Sequence, residues 1–153
     1  MADKAALKNF VTRVMEVLPQ VIRGFLRTQG NALSRGQISP AQYFALDAVD
    51  RQEALKMGEL AAELSVSLPA MSGLVERLCK IKLVKRVYPE KDRRVIKIAI
   101  SPRGKNILER IRVQREIGFE KIFSQLPQKD RMDYLRIIIK VRDILNKDIK
   151  DQG

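Results

Sequence analysis

Histidine is absent from this chain, and Cys79 is its only cysteine. A zinc site of the usual Cys/His kind is thereby excluded, as are an intramolecular disulfide framework and any histidine-based general base or catalytic triad. No apolar run approaches the ~18 residues of a membrane-spanning helix. The first residues, Met1 to Leu7, carry Asp3 and Lys4 in place of an apolar signal core. The expectation is a cytoplasmic protein. Internal repeats, low-complexity stretches and a glycine-rich loop of the phosphate-cradling kind are also missing. Acidic residues are scarce beside basic ones: 18 Asp and Glu face 30 Lys and Arg, a net charge of +12. Such an excess attracts polyanions at long range, nucleic acid first and acidic membrane surfaces second.

What is present is an ordinary globular composition, 45% apolar over 153 residues, enough for a single domain over 1–153. Leu7, Phe10, Val11, Val14, Leu18, Val21, Ile22, Phe25 and Leu26 recur at spacings of three and four, the apolar face of a long helix. Pro19 lies within it and is expected to kink or break it, because its ring removes a donor and crowds the preceding turn. Gly30, Asn31, Ser34 and Gly36 mark a loop. Ser39-Pro40-Ala41-Gln42 then reads as a helix start, with Ser39 as cap, Pro40 at the first position and Gln42 reaching back. Leu60, Ala61 and Leu64 belong to a short helix opening near Lys56 or Met57, and Ser65-Val66-Ser67 is a tight connection. A further helix, capped by Ser67, buries Met71, Leu74, Val75 and Leu78 at i, i+3, i+4 and i+7.

The period then changes. Val84 to Tyr88 alternates apolar and basic residues, Pro89 to Arg93 is a polar loop, and Val95 to Ile100 alternates again with Ile96, Ile98 and Ile100 on one face. Two short strands in an antiparallel hairpin are expected. Ser101-Pro102 restarts helix. Ile107, Leu108, Ile111, Phe119, Ile122 and Phe123 continue it to a break at Leu126-Pro127. A last helix carries Met132, Leu135, Ile138, Ile139 and Leu145. Ile137, Ile138 and Ile139 in succession make that helix apolar on more than one side, so burial on two surfaces is expected. In so short a chain the second surface belongs to another subunit.

The order of elements is that of a winged helix-turn-helix: a mainly α fold with a small β-hairpin, its lobe at 39–101, flanked by helices at 4–28 and 102–150. In that layout one helix enters the major groove and the hairpin wing lies along the backbone or minor groove. The helix beginning at Ser67 offers Ser67, Ala70, Ser72, Gly73, Glu76 and Arg77 on its polar side. Between Lys80 and Lys105 ten basic residues face only Glu90 and Asp92, so this stretch holds +8 of the net +12. Lys85, Arg86 and Lys97 are the expected phosphate contacts there, with Lys91, Asp92, Arg93 and Arg94 on the loop. Paired carboxylates such as Asp47 and Asp50 read as ordinary surface residues, and no enzyme is expected.

Several stretches resemble the MarR (multiple antibiotic resistance regulator) family. They are Gln42-Tyr43 after Ser39-Pro40, Glu59-Leu60-Ala61-Ala62-Glu63-Leu64, Met71-Ser72-Gly73-Leu74-Val75-Glu76-Arg77-Leu78 and Leu83-Val84-Lys85-Arg86. The most specific is Asp92-Arg93-Arg94 followed by Ile96 to Ser101 and Pro102-Arg103-Gly104, similar to the family's wing loop, strand, capping residue and glycine. The resemblance implies a homodimer joined by the terminal helices, with Phe10, Val14, Leu135, Ile138 and Ile139 at the interface. Each subunit would present a recognition helix and a wing to a pseudo-palindromic site. It further implies that Arg94, with Arg93 sharing the role, reaches the minor groove, and that Asp92 holds the loop; by local chemistry alone Asp92 is equally a plain turn residue.

Three positions depart from the family pattern. Lys82 stands where a helix-ending glycine is usual, so that turn must take a less easy backbone conformation or close differently. Gly73 replaces a long polar reader and shifts weight from direct base contacts to wing and shape readout. Cys79 lies in the last turn of the recognition helix and is read as incidental rather than as a redox switch.

The reading that follows is a sequence-specific regulator of transcription, a repressor in first place. It would be released by a small effector, anionic aromatic compounds fitting the basic lobe, in a crevice between the dimerisation helices and the winged lobe. It needs no cofactor. The alternative is an architectural or nonspecific double-stranded DNA-binding protein, and a third reading, an adaptor that reads no DNA, is opposed by the charge of the hairpin.

Overall fold

The computed structural model describes residues 2–28, 38–89 and 95–151. In chain order the elements are α1 (Ala2–Thr28), α2 (Pro40–Arg51), β1 (Ala54–Lys56), α3 (Met57–Glu63), α4 (Leu68–Lys80), β2 (Val84–Val87), β3 (Lys97–Ile100), α5 (Pro102–Phe123) and α6 (Gln128–Asp151). The chain divides into two compact units, Met1–Glu116 and Ile117–Gly153.

Local chemistry accounts for the helix starts. Ser39 Oγ accepts from the Gln42 N–H at 3.2 Å, and Gln42 Oε1 accepts from the Ser39 N–H at 2.8 Å, a reciprocal capping box ahead of α2. Glu59 Oε2 accepts from the Lys56 N–H at 2.8 Å and opens α3. The helix ends are less expected. At the close of α4, the Lys82 N–H donates to Cys79 O at 3.0 Å and the Leu83 N–H to Leu78 O at 2.9 Å, a Schellman pair. Its left-handed residue is Lys82, at φ 60°. The same pair ends α3, Ser65 to Ala62 O and Val66 to Ala61 O, around Ser65 at φ 52°. Neither position is glycine, so each turn is held against an intrinsic cost of roughly 1 kcal/mol.

The core of the first unit is one cluster. Leu46 and Val49 of α2, Leu60 of α3, Met71, Leu74, Val75 and Leu78 of α4, and Leu108 and Ile111 of α5 meet over Leu55, Val84, Ile98 and Ile100 of the sheet. All four apolar positions expected on the inner side of α4 are buried.

The sheet has three strands in the order β1-β3-β2, all antiparallel, where a two-stranded hairpin is expected from the sequence. β1 is three residues, Ala-Leu-Lys, with Leu55 alone facing the core. Its only sequence signal is one leucine; pairing with β3 makes it a strand. The alternation expected from Ile96 is also corrected. Ile98 and Ile100 are buried, but Ile96 is 42% exposed. It precedes β3, whose pairing with β2 begins at Val87 opposite Lys97, so no ladder holds it over the core.

Pro19 does not interrupt α1, which is helical from Ala2 to Thr28. A proline removes one donor and crowds one carbonyl, and the turns on both sides keep a common apolar phase. The burial expected around α6 is not found within the single chain: Leu135, Ile137, Ile138 and Ile139 are all exposed. Within the second unit the rings of Phe119 and Phe123 stack at 5.9 Å, and Phe123 meets Tyr134 at 5.2 Å. The loop expected around Gly30, Asn31, Ser34 and Gly36 lies outside the described residues.

Candidate nucleic-acid interface

α4 is an amphipathic helix with a clean division of faces. Ser67 caps it, its Oγ accepting from the Ala70 N–H at 3.3 Å, and Pro69 occupies the first turn. With Met71, Leu74, Val75 and Leu78 buried, the solvent side presents Ser67, Ala70, Ser72, Glu76 and Arg77, all exposed. Gly73 is half-buried, and a Cβ built there meets nothing within 4 Å. The surface at its centre is therefore open. Arg77 has no ion pair among the described residues, while Glu76 reaches Lys80 at 4.0 Å one turn along. A planar guanidinium presented in this way suits bidentate recognition of a guanine edge or a phosphate.

α3 is set against α2 by a small ionic node. Glu63 accepts from Arg51 Nη2 at 2.9 Å and from Gln52 Nε2 at 2.6 Å, so the helix preceding the Ser65 turn is tied to the end of α2. That tie and the left-handed Ser65 set the direction in which α4 leaves the core.

Strand pairing decides which basic residues act together. Lys85 is opposite Ala99, Lys97 opposite both Val87 and Lys56, and Arg86 opposite Ile98. Residues directly opposite share a face and successive residues alternate. Lys85 and Lys97 therefore belong to the outer face of the sheet, and Arg86, though exposed, to the other side. The three phosphate contacts expected from the sequence are not one cluster. Lys56 joins Lys85 and Lys97 on the outer face; no reading of the sequence marks it, because only the pairing of β1 brings it there. Lys91, Asp92, Arg93 and Arg94 lie outside the described residues.

The pairing of Asp47 and Asp50 as surface residues is also corrected. Arg112 of α5 donates through Nη2 to Asp47 Oδ1 and through Nη1 to Asp50 Oδ2, both at 2.8 Å. Asp47 also meets Arg51 Nε at 3.1 Å. The hydrogen bond that Arg112 donates to Asp47 raises the Arg112 pKa, burial opposes it, and the bond to Asp50 adds to the rise. One helical turn later Arg115 lies over the Tyr43 ring, 4.7 Å from its centroid. These contacts fix the first half of α5 on α2.

Among the described residues no group of three or more Cys, Asp or Glu side chains is placed to hold a metal ion. No helix among them is long and apolar enough to cross a membrane.

A model of the MarR family matches residues 37–95. The chain is 25% identical over 119 residues to the HTH-type transcriptional repressor MdtR of Bacillus subtilis, covering 78% of this chain and 77% of that protein. It is 24% identical over 117 residues to the HTH-type transcriptional regulator FarR of Neisseria gonorrhoeae, covering 74% and 80%. Among solved structures, a MarR family protein from Bacillus stearothermophilus superposes with a TM-score of 0.79 at 20% identity, covering 91% of this chain and 97% of that one. Wild-type MarR of E. coli in its apo form gives 0.67 at 21% identity, covering 82% and 94%.

Proposed function

We propose that this chain is a MarR-family protein, as its match to that family's model over residues 37–95 supports, that it is a DNA-binding transcription regulator with repression as its mode of action, and that it catalyses no reaction. The observation that carries this is α4: four apolar residues locked in the core, and Ser67, Ala70, Ser72, Gly73 and Arg77 turned outward with no covering element among the described residues. In this reading α4 enters the major groove, Lys85, Arg86 and Lys97 approach phosphates from two sides of the sheet, and Lys91, Asp92, Arg93 and Arg94 form the wing loop, with Arg94 in the minor groove. The lobe at 39–101 reads DNA, and the helices at 4–28 and 102–150 pair two subunits.

The working form is a homodimer. Phe10 is 64% exposed and Val14 also faces water on α1. On α6, Leu135, Ile138 and Ile139 are exposed, with Met132, Leu135 and Ile139 lining an apolar depression of about 320 Å³. Stripes of large apolar side chains at helical spacing support cover by a second copy of each helix. Two recognition helices related by a twofold axis then read half-sites one turn of DNA apart, about 34 Å. The family also supports a cytoplasmic location and a small-molecule effector.

The deciding experiment is selection from a random duplex library, with the winners bound again at several salt concentrations. A pseudo-palindrome with half-sites about 10 bp apart supports the specific regulator. Absence of a consensus, with affinity falling steeply as salt rises, would replace it with a nonspecific DNA-binding protein. The short side chains of Ala70, Ser72 and Gly73 are the observation that favours this second reading.

A further inference from the structure

The exposed face of α4 changes chemistry along its length. From Ser67 to Gly73 it carries no amide, carboxylate or cationic side chain. Ser67 spends its Oγ on the Ala70 N–H, and Ser72 offers a short hydroxyl that discriminates poorly among bases. The rest of that stretch is apolar. Leu68 leaves 54% of its surface exposed, and Pro69 and Ala70 beside it are exposed as well. Charged groups begin only at Glu76 and Arg77. Val66, two residues before Leu68, lines a depression with Phe44 and Leu64. Leu68 is thus the large exposed apolar side chain that the α4 face itself presents.

We infer that Leu68 is a specificity-determining residue that packs on the C5 methyl group of a thymine in the major groove. This rests on the regulator reading given above. Thymine is the base that offers an apolar group there, whereas guanine, adenine and cytosine are told apart by donors and acceptors. In a helix-turn-helix the leading turns of the inserted helix meet base edges. A water-exposed leucine in that place gains by covering a methyl group and gains nothing from a phosphate. Leu68, Ser72 and Glu76 follow at i, i+4 and i+8 along one edge of the helix. That edge ends in an exposed carboxylate, which repels phosphates, so it suits bases rather than backbone.

The spacing along the helix gives the half-site a pattern. Arg77 lies nine residues beyond Leu68, roughly 13 Å along the helix axis. With base pairs ~3.4 Å apart, the thymine under Leu68 and a guanine read by Arg77 fall about four base pairs apart. The magnitude follows from burial. Covering one methyl group is worth about fourfold in affinity, and a symmetric dimer covers two, about fifteenfold together.

The test uses the full-length protein and the duplex selected from a random library. Each thymine is replaced in turn by deoxyuridine, which removes the C5 methyl and nothing else, and binding is followed by fluorescence anisotropy. One symmetry-related pair of positions is expected to lose about fourfold per half-site. Leu68→Ala should bind the thymine and uracil duplexes equally at that position, while Leu68→Met, which keeps an apolar body, should preserve the difference. A selected site on which every uracil replacement is silent overturns the inference and leaves the regulator reading standing. So does a sensitive position that responds equally in the parent and in Leu68→Ala. If no sequence is enriched, the specific regulator falls, and a mixed-sequence duplex with uracil at every thymine decides the contact. Weaker binding of that duplex by the parent but not by Leu68→Ala keeps the contact, and equal binding removes it. Absence of any duplex binding defeats both.

Discussion

The Ser101 hydroxyl donates to the carbonyl oxygen of Lys82 at 2.7 Å and accepts from the Gly104 N–H at 2.9 Å. One side chain thus caps α5 and holds the left-handed turn that ends α4. Gly104 completes the junction. A Cβ there would collide with the Leu83 carbonyl oxygen and come within 2.8 Å of Ile100 Cγ1. Ser101→Ala is expected to cost about 1–2 kcal/mol, the loss of a cap with a second hydrogen bond. Gly104→Ala should cost more, because backbone must move. Urea denaturation measures both, and a Gly104→Ala protein as stable as the parent would overturn the close packing described.

Lys82→Gly should stabilise the protein by about 1 kcal/mol, since glycine occupies the left-handed region without the Cβ clash that lysine suffers. The comparison is of denaturation midpoints at unchanged slope. A lower midpoint would mean that the lysine side chain contributes more than its backbone costs.

The fork from Arg112 to Asp47 and Asp50 is about one-third exposed on the arginine side, so its loss is screened by solvent. Arg112→Ala is expected to cost about 1–2 kcal/mol, below the roughly 3–5 kcal/mol of a fully buried pair. The sign of any pH effect is fixed by the direction of the shift. A cation whose pKa is raised contributes its stability at all pH below its ordinary value and loses it only above. Arginine ordinarily titrates far above neutrality, so from pH 5 to 9 this contribution should be flat. A marked change in the Arg112→Ala penalty over that range would contradict the assignment.

Lys85 and Arg77 should fail in different ways. Lys85→Ala is expected to weaken all duplexes alike and lower the slope of log K against log salt by about 0.9, one phosphate contact. Arg77→Ala should cost about 1–3 kcal/mol on the selected site and relax preference at one base position. Titrations on specific and scrambled duplexes at three salt concentrations separate the two. Identical behaviour of both variants would remove Arg77 from base readout.

Ile138→Asp places a charge at the centre of the exposed apolar surface of α6, and a monomer is expected by light scattering. A variant that remains dimeric would exclude α6 from the interface.

Much of this protein is determined by local sequence. The Ser39 capping box, the Ser67 cap and the four buried residues of α4 follow from side-chain chemistry and helical period within a few residues of each other, so the winged-helix order is legible without coordinates. The concentration of basic residues after Lys80 is equally legible, since charge needs no fold to be counted. Only the tertiary structure decides the rest, because it depends on residues distant in sequence. β1 exists because β3 pairs with it, and that pairing brings Lys56 to Lys97 while alternation carries Arg86 to the other face. Arg112 finds Asp47 and Asp50 across more than sixty residues. Lys82 is tolerated where glycine would fit more easily because Ser101, nineteen residues away, binds its carbonyl. Local periodicity registers which residues turn inward; it is silent on which partner they meet there.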